Sequence, residues 1–109
     1  ILVVGLNPAW QKVLEFEGLQ LGQVNRAKER QEFASGKGLN AARVLHRLGH
    51  EACLLQVVGG ETGEKYKRDC GRYAISLLNI PVETETRSCT TLIDNSSRIT
   101  TEIIDIVFG

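Results

Sequence analysis

Hydrophobic positions change their period several times along this chain, and each change marks an element. Ile1 to Leu6 is apolar on both parities and β-branched, which predicts a strand buried on both faces of a parallel sheet and ended by Asn7-Pro8. From Lys12 to Phe33 the pattern breaks into short alternations, Val13/Glu15/Glu17 and Val24/Arg26/Lys28, interrupted by Gly18 and Gly22. These read as the half-exposed strands of a flap. After Lys37, Ala41, Val44, Leu45 and Leu48 recur at helical spacing, with Asn40, Arg43 and Arg47 on another face and Gly49 as a left-handed stop. Ala52 to Val58 is a second continuous apolar strand. Gly59-Gly60-Glu61-Thr62-Gly63-Glu64 then opens a helix of about four turns, expected to run through Leu78 with Asn79 as its C-cap. Strands are expected at Val82 to Glu85, Ser88 to Asp94 and Arg98 to Val107, the last two joined by a hairpin turn at Asp94-Asn95-Ser96-Ser97.

Strand, flap, helix, strand, helix, strands is an α/β order. The two buried strands are joined through a helix, so parallel pairing with a right-handed crossover follows. The 109 residues suffice for one core, and an incomplete domain of that size is marginal. Thirteen basic residues balance thirteen acidic ones, which argues against a nucleic-acid partner. The apolar runs fall far short of the roughly 20 residues a membrane span needs. Cys53, Cys70 and Cys89 are widely spaced without metal-ligand spacing and read as reduced packing residues of a cytoplasmic protein. The chain has no methionine, begins inside a strand and stops in the apolar tail Ile103, Ile104, Ile106, Val107 and Phe108, which reads as a fragment.

Candidate chemistry concentrates where Ser35-Gly36-Lys37-Gly38 leads directly into the first helix. Glycines let backbone wrap closely around a ligand, the first helical N–H groups lack partners, and a lysine adds charge at the positive end of the dipole. An anion such as phosphate or carboxylate suits that place, although the same residues also make an ordinary tight turn with a solvated lysine. Neither nucleotide loop fits. A Walker A loop needs an earlier glycine where Gln31 stands and Ser or Thr where Gly38 stands; a dinucleotide fingerprint would follow the first strand directly and have glycine at Ala41.

The collinear order Leu6-Asn7-Pro8-Ala9, Asn25-Arg26, Ser35-Gly36-Lys37-Gly38-Leu39-Asn40-Ala41-Ala42-Arg43, Gly59-Gly60-Glu61-Thr62-Gly63-Glu64 and Glu85-Thr86-Arg87 resembles the ribokinase-like (PfkB) carbohydrate kinases. It is most similar to the branch of 1-phosphofructokinase and tagatose-6-phosphate kinase. The resemblance implies a mostly parallel sheet with helices on both faces plus a small β-strand lid, of which residues 1–109 are the N-terminal part and residues about 12–33 and 82–107 supply the lid. It implies ATP and Mg in the complete protein, a sugar phosphate as small-molecule partner, and a homodimer through the lid. Carried over position by position, it makes Gly36, Lys37, Gly38 and Asn40 the sugar-phosphate end of the site, Arg26 and Arg87 the basic groups facing the phosphorylated substrate, and Gly59 and Gly60 a hinge.

Three departures qualify the match. Gln11 stands where the family has an aspartate that binds substrate hydroxyls, Ser35 replaces the first glycine of GGKG and is placed to cap the helix, and Ile103-Ile104-Asp105 replaces a polar segment. The family's GAGD motif, which supplies the catalytic base and anion hole, does not occur in these residues. The expected function is therefore the substrate-binding portion of a phosphosugar kinase, inactive by itself and with no catalytic or metal residue of its own. A degenerate binding or dimerisation module and a nucleoside kinase of the same fold are the alternatives.

Overall fold

Strand pairing divides the chain between two sheets. The computed structural model describes residues 1–105, so Ile106, Val107 and Phe108 of the expected apolar tail lie outside the described residues. The first sheet is parallel and contains β1 (Leu2–Gly5), β4 (Cys53–Val58) and β5 (Ser76–Pro81) in the order β1-β4-β5. The second contains β2 (Ala9–Phe16), β3 (Glu29–Ser35), β6 (Arg87–Asp94) and β7 (Ile99–Ile104) in the order β3-β2-β6-β7. Its central pair β2/β6 is parallel, while β3 and β7 are added antiparallel at its edges. Two helices, α1 (Lys37–Arg47) and α2 (Gly60–Cys70), carry the chain between these strands.

Parallel pairing of β1 with β4, joined through α1, agrees with the pattern of two apolar runs. The register places Val3, Leu54 and Leu77 in one row, on the face that packs against both helices. Leu39, Ala42, Tyr66 and Cys70 from the helices close over Leu54 and Val58 to make the core. Among the described residues both helices lie on this face. The opposite face carries Leu2, Val4, Leu78 and Ile80 exposed, so β1 is covered on one side rather than two.

The seam of α1 is rotated from the expected one. Leu39 and Ala42 are buried and Leu45 is half-buried, whereas Val44 and Leu48 are exposed. Gly38 lets the start of the helix approach β1 closely, and the small Ala42 then fits beneath the helix while the bulkier Val44 turns outward. Gly49, with φ of 88°, ends the helix as expected, and His50 N–H donates to the Leu45 carbonyl at 3.0 Å.

Two further expectations are corrected. Residues 71–78 are not the end of α2: that helix stops at Cys70, and Ser76 to Pro81 form β5 beside β4, with Leu77 and Asn79 turned inward. Asn79 is consequently a strand residue, its side-chain oxygen accepting from Gln56 Nε2 at 2.7 Å, rather than a helix cap. Val82 to Glu85 is a connector, not a strand. Likewise Val24/Arg26/Lys28 belongs to the loop between β2 and β3. There Gly22 takes a positive φ and the Asn25 side chain bonds Gln20 N, Gln20 O and Gln23 O, satisfying backbone groups that strand pairing would otherwise claim.

Candidate functional site

The start of α1 is electrostatically unusual. Its N-cap is Gly36, at φ 130°, and among the described residues no side chain caps its free N–H groups; its first turn holds no acid and opens with Lys37. Ser35, expected as a cap, ends β3 instead. A lysine at the positive end of a helix dipole is unfavourable unless an anion joins it. At α2 the usual remedy is present: Glu61 lies in the first turn, and the Glu85 carboxylate accepts from Thr62 N–H at 3.2 Å and Thr62 O–H at 2.8 Å.

Arg87, at the start of β6, sits beside this helix end. Its Nε is buried with no hydrogen-bond partner among the described residues, and its Nη2 makes only a 3.4 Å contact with the Asn7 carbonyl. Two adjoining clefts share Gly36, Lys37 and Arg87. The larger, about 390 Å³, adds Asn7, Pro8, Gly38, Gln56 and Tyr66; the smaller, about 200 Å³, adds Gln11, Asn40, Cys89 and Glu102. Six predicted site residues, from β2, the start of α1 with its N-cap, and β6, therefore meet here: Gln11, Gly36, Lys37, Gly38, Asn40 and Arg87.

Close backbone packing fixes this geometry. A Cβ built on Gly38 would lie 2.7 Å from the Gly5 Cα, so only glycine allows α1 to start this near β1. Beneath it, buried Tyr66 donates to Gln56 Oε1 at 2.8 Å, and Gln56 in turn donates to Asn79. Burial pushes the Tyr66 hydroxyl well above its ordinary range and the Cys70 thiol up to about 11, so both stay neutral at physiological pH. The floor is polar but uncharged, leaving Lys37 and Arg87 to set the sign of the cleft, with Glu102 at one side.

Arg26 is not brought to the clefts: it is exposed in the β2–β3 loop. Gly59 and Gly60 sit at the start of α2, tied to the connector before β6. Thr86 N–H donates to the Gly59 carbonyl at 2.9 Å, Gly59 N–H donates to Thr86 Oγ1 at 3.1 Å, and Val82 N–H donates to the Val58 carbonyl at 2.9 Å. Sequence reasoning missed Asn7, Gln56, Tyr66, Cys89 and Glu102 as cleft residues. Gln56 carried the only available signal, a polar residue inside an otherwise apolar strand. Trp10, whose indole donates to Glu32 at 3.3 Å, packs on the core and lines neither cleft.

Two clefts lined by Lys37 and Arg87, in a chain of one parallel and one mixed sheet, define an α/β protein with a cationic cleft, and comparison narrows the class. Residues 2–106 match the pfkB family of carbohydrate kinases. A phosphofructokinase candidate from Staphylococcus aureus is 30% identical with a TM-score of 0.85, over 97% of this chain and 34% of that one. A 1-phosphofructokinase candidate from Thermotoga maritima is 28% identical with a TM-score of 0.84, over 97% and 35%. Phosphofructokinase-2 from Escherichia coli in complex with fructose 6-phosphate reaches a TM-score of 0.88 at 19% identity, over 98% and 35%, a likeness of fold. The chain spans about a third of the length of these structures. It belongs to the pfkB family of carbohydrate kinases and has their ribokinase-like α/β fold.

Proposed function

We propose that this chain forms the acceptor-binding part of an ATP-dependent, Mg-requiring phosphosugar kinase of the cytoplasm. The parent reaction transfers the terminal phosphoryl group of ATP to a hydroxyl of a hexose or ketose phosphate, giving ADP and a bisphosphate. The observation that carries this reading is the buried Arg87 Nε, without a hydrogen-bond partner among the described residues, beside Lys37 at the start of α1. Arginine's planar fork suits two phosphate oxygens, while Lys37 and the first N–H groups of α1 supply converging positive charge. Gln11 and Asn40 line the same cleft, and on this reading they take the sugar hydroxyls.

Catalysis of phosphoryl transfer is mostly positioning and electrostatics, and the acceptor's existing phosphate is what this cleft holds in register. The second sheet is proposed as the lid, with Gly59 and Gly60 at its hinge, and its exposed Ile99, Ile103 and Ile104 support a homodimer through it. ATP and Mg belong to the full-length protein.

The test uses full-length protein with ATP, Mg and a panel of fructose 1-phosphate, fructose 6-phosphate and tagatose 6-phosphate. Bisphosphate should form, and Lys37→Ala should weaken phosphosugar binding far more than ATP binding; equal loss of both refutes the placement. The 109-residue chain alone should transfer no phosphate. The binding-module reading is favoured by Gln11, and tight phosphosugar binding without turnover by the full-length protein would select it.

A further inference from the structure

Gln11 is 9% exposed, and its amide is held from two sides: Nε2 donates to Thr91 Oγ1 at 2.8 Å and to the Lys12 carbonyl at 3.1 Å. The second contact fixes the orientation, because a backbone carbonyl can only accept and a flipped amide would set two oxygens against each other. Both amide hydrogens are thus used within the protein. Thr91 lies on β6 two residues beyond Cys89, the register partner of Gln11, so a long side chain reaches it diagonally across the parallel pair. Among the described residues the Gln11 Oε1 has no protein partner, and Gln11 lines the smaller cleft with Lys37, Asn40 and Arg87.

We infer that Thr91 is a positioning residue for the sugar end of the site: it locks Gln11 with its amide oxygen toward the cleft, making position 11 a neutral, acceptor-only reader of a ligand hydroxyl. The inference rests on the phosphosugar reading and deepens it. A freely turning glutamine would offer N–H groups as often as oxygen and would also suit carbonyl or phosphate oxygens. The locked one selects an O–H donor. The site then divides its labour, with Arg87 and Lys37 reading the anion and Gln11 reading the polyol. Because the amide is uncharged, it adds no repulsion against the phosphate held nearby, unlike a carboxylate in the same place.

The division is testable with two probes, inorganic phosphate for the anion half and fructose 6-phosphate, with fructose 1-phosphate and tagatose 6-phosphate as alternates, for both halves. In full-length protein, Thr91→Val keeps the β-branched shape and removes the acceptor. It should weaken binding of the preferred phosphosugar roughly three- to tenfold, the range of one neutral hydrogen bond, with phosphate affinity unchanged. Thr91→Ser should restore most of the loss. If Thr91→Val changes neither affinity, or lowers both equally, the lock is refuted while the phosphosugar reading stands. If the unsubstituted protein binds phosphate and no phosphosugar, the functional reading falls and this inference with it.

Discussion

Replacing Arg87 by methionine separates the site's function from the protein's stability. The substitution keeps an unbranched apolar stem and removes a guanidinium whose Nε is buried without a partner among the described residues. An unsatisfied buried donor costs about 1–3 kcal/mol, and the Nη2 contact with the Asn7 carbonyl, at 3.4 Å, offsets little of that. Arg87→Met should therefore stabilise the ligand-free protein by about 1 kcal/mol, the low end of the range because part of the side chain remains solvated. Removing charge-assisted hydrogen bonds worth about 1.5–3 kcal/mol should simultaneously weaken phosphate binding by about ten- to a hundredfold.

Those opposed effects predict a crossing. Phosphate at about 100 times its dissociation constant adds about 2.7 kcal/mol to the wild type, and much less to a variant that binds it ten- to a hundredfold more weakly. Without phosphate the variant should melt a few degrees higher; with phosphate the wild type should. Thermal melting of the full-length protein with and without phosphate, alongside calorimetric titration of phosphate, reads both terms. An Arg87→Met protein that is less stable without ligand and binds phosphate within twofold of wild type would show that the guanidinium is structural and that the anion site is misplaced.

Other perturbations probe the scaffold. Gly38→Ala should destabilise by roughly 1–3 kcal/mol despite alanine's better helix propensity, since its Cβ would meet the Gly5 Cα at 2.7 Å and force α1 away from β1. Urea unfolding measures the loss, and phosphate affinity should fall with it as Lys37 moves; an unchanged midpoint would contradict the close approach. Bonds from the Thr62 hydroxyl and N–H hold the Glu85 carboxyl below its ordinary value of 4.5. A lowered folded pKa means its contribution is complete above the ordinary value and is lost as pH falls through the lowered one. Hydrogen exchange at the start of α2 should therefore accelerate as pH falls below the carboxyl's ordinary value of 4.5, beyond the intrinsic change, and Glu85→Gln should abolish that pH dependence.

Much of this molecule was legible because its chemistry is local. The β1–α1–β4 unit, the Gly49 stop and the turn before β7 follow from residue pattern and turn chemistry, and Gly36, Lys37 and Asn40 share one helix start. What escaped was decided by partners distant in sequence. Ile75 to Ile80 is apolar enough for either a helix end or a strand, and its alignment beside β4, with Gln56 waiting for Asn79, chooses the strand. The seam of α1 depends on Gly38 meeting Gly5, a contact that periodicity within the helix cannot reveal. Cys89 enters the cleft because β6 pairs parallel with β2, which brings residues some eighty positions apart into register, and Glu102 because β7 is added antiparallel to β6.

Pairing within the other sheet leaves a face that carries its own prediction. In the first sheet, Val4, Leu55 and Leu78 form one row, with Leu2 and Ile80 on the same side. Leu2, Val4 and Leu78 are 58%, 53% and 53% exposed. Parallel sheets are ordinarily covered on both faces, and fully burying one such side chain is worth about 1.5–3 kcal/mol, so leaving several half open forgoes several kcal/mol. The 109-residue chain by itself should bind a hydrophobic dye and sediment as concentration-dependent oligomers. Replacing Val4 and Leu78 together by threonine should reduce both signals in the isolated chain. In the full-length protein the same pair should instead lower stability by about 2 kcal/mol or more, because there the methyl groups have something to pack against. That reversal of sign distinguishes a face built to be covered from a merely sticky surface. A stable, dye-free monomer of the isolated chain, or a full-length protein indifferent to the substitutions, would refute the account.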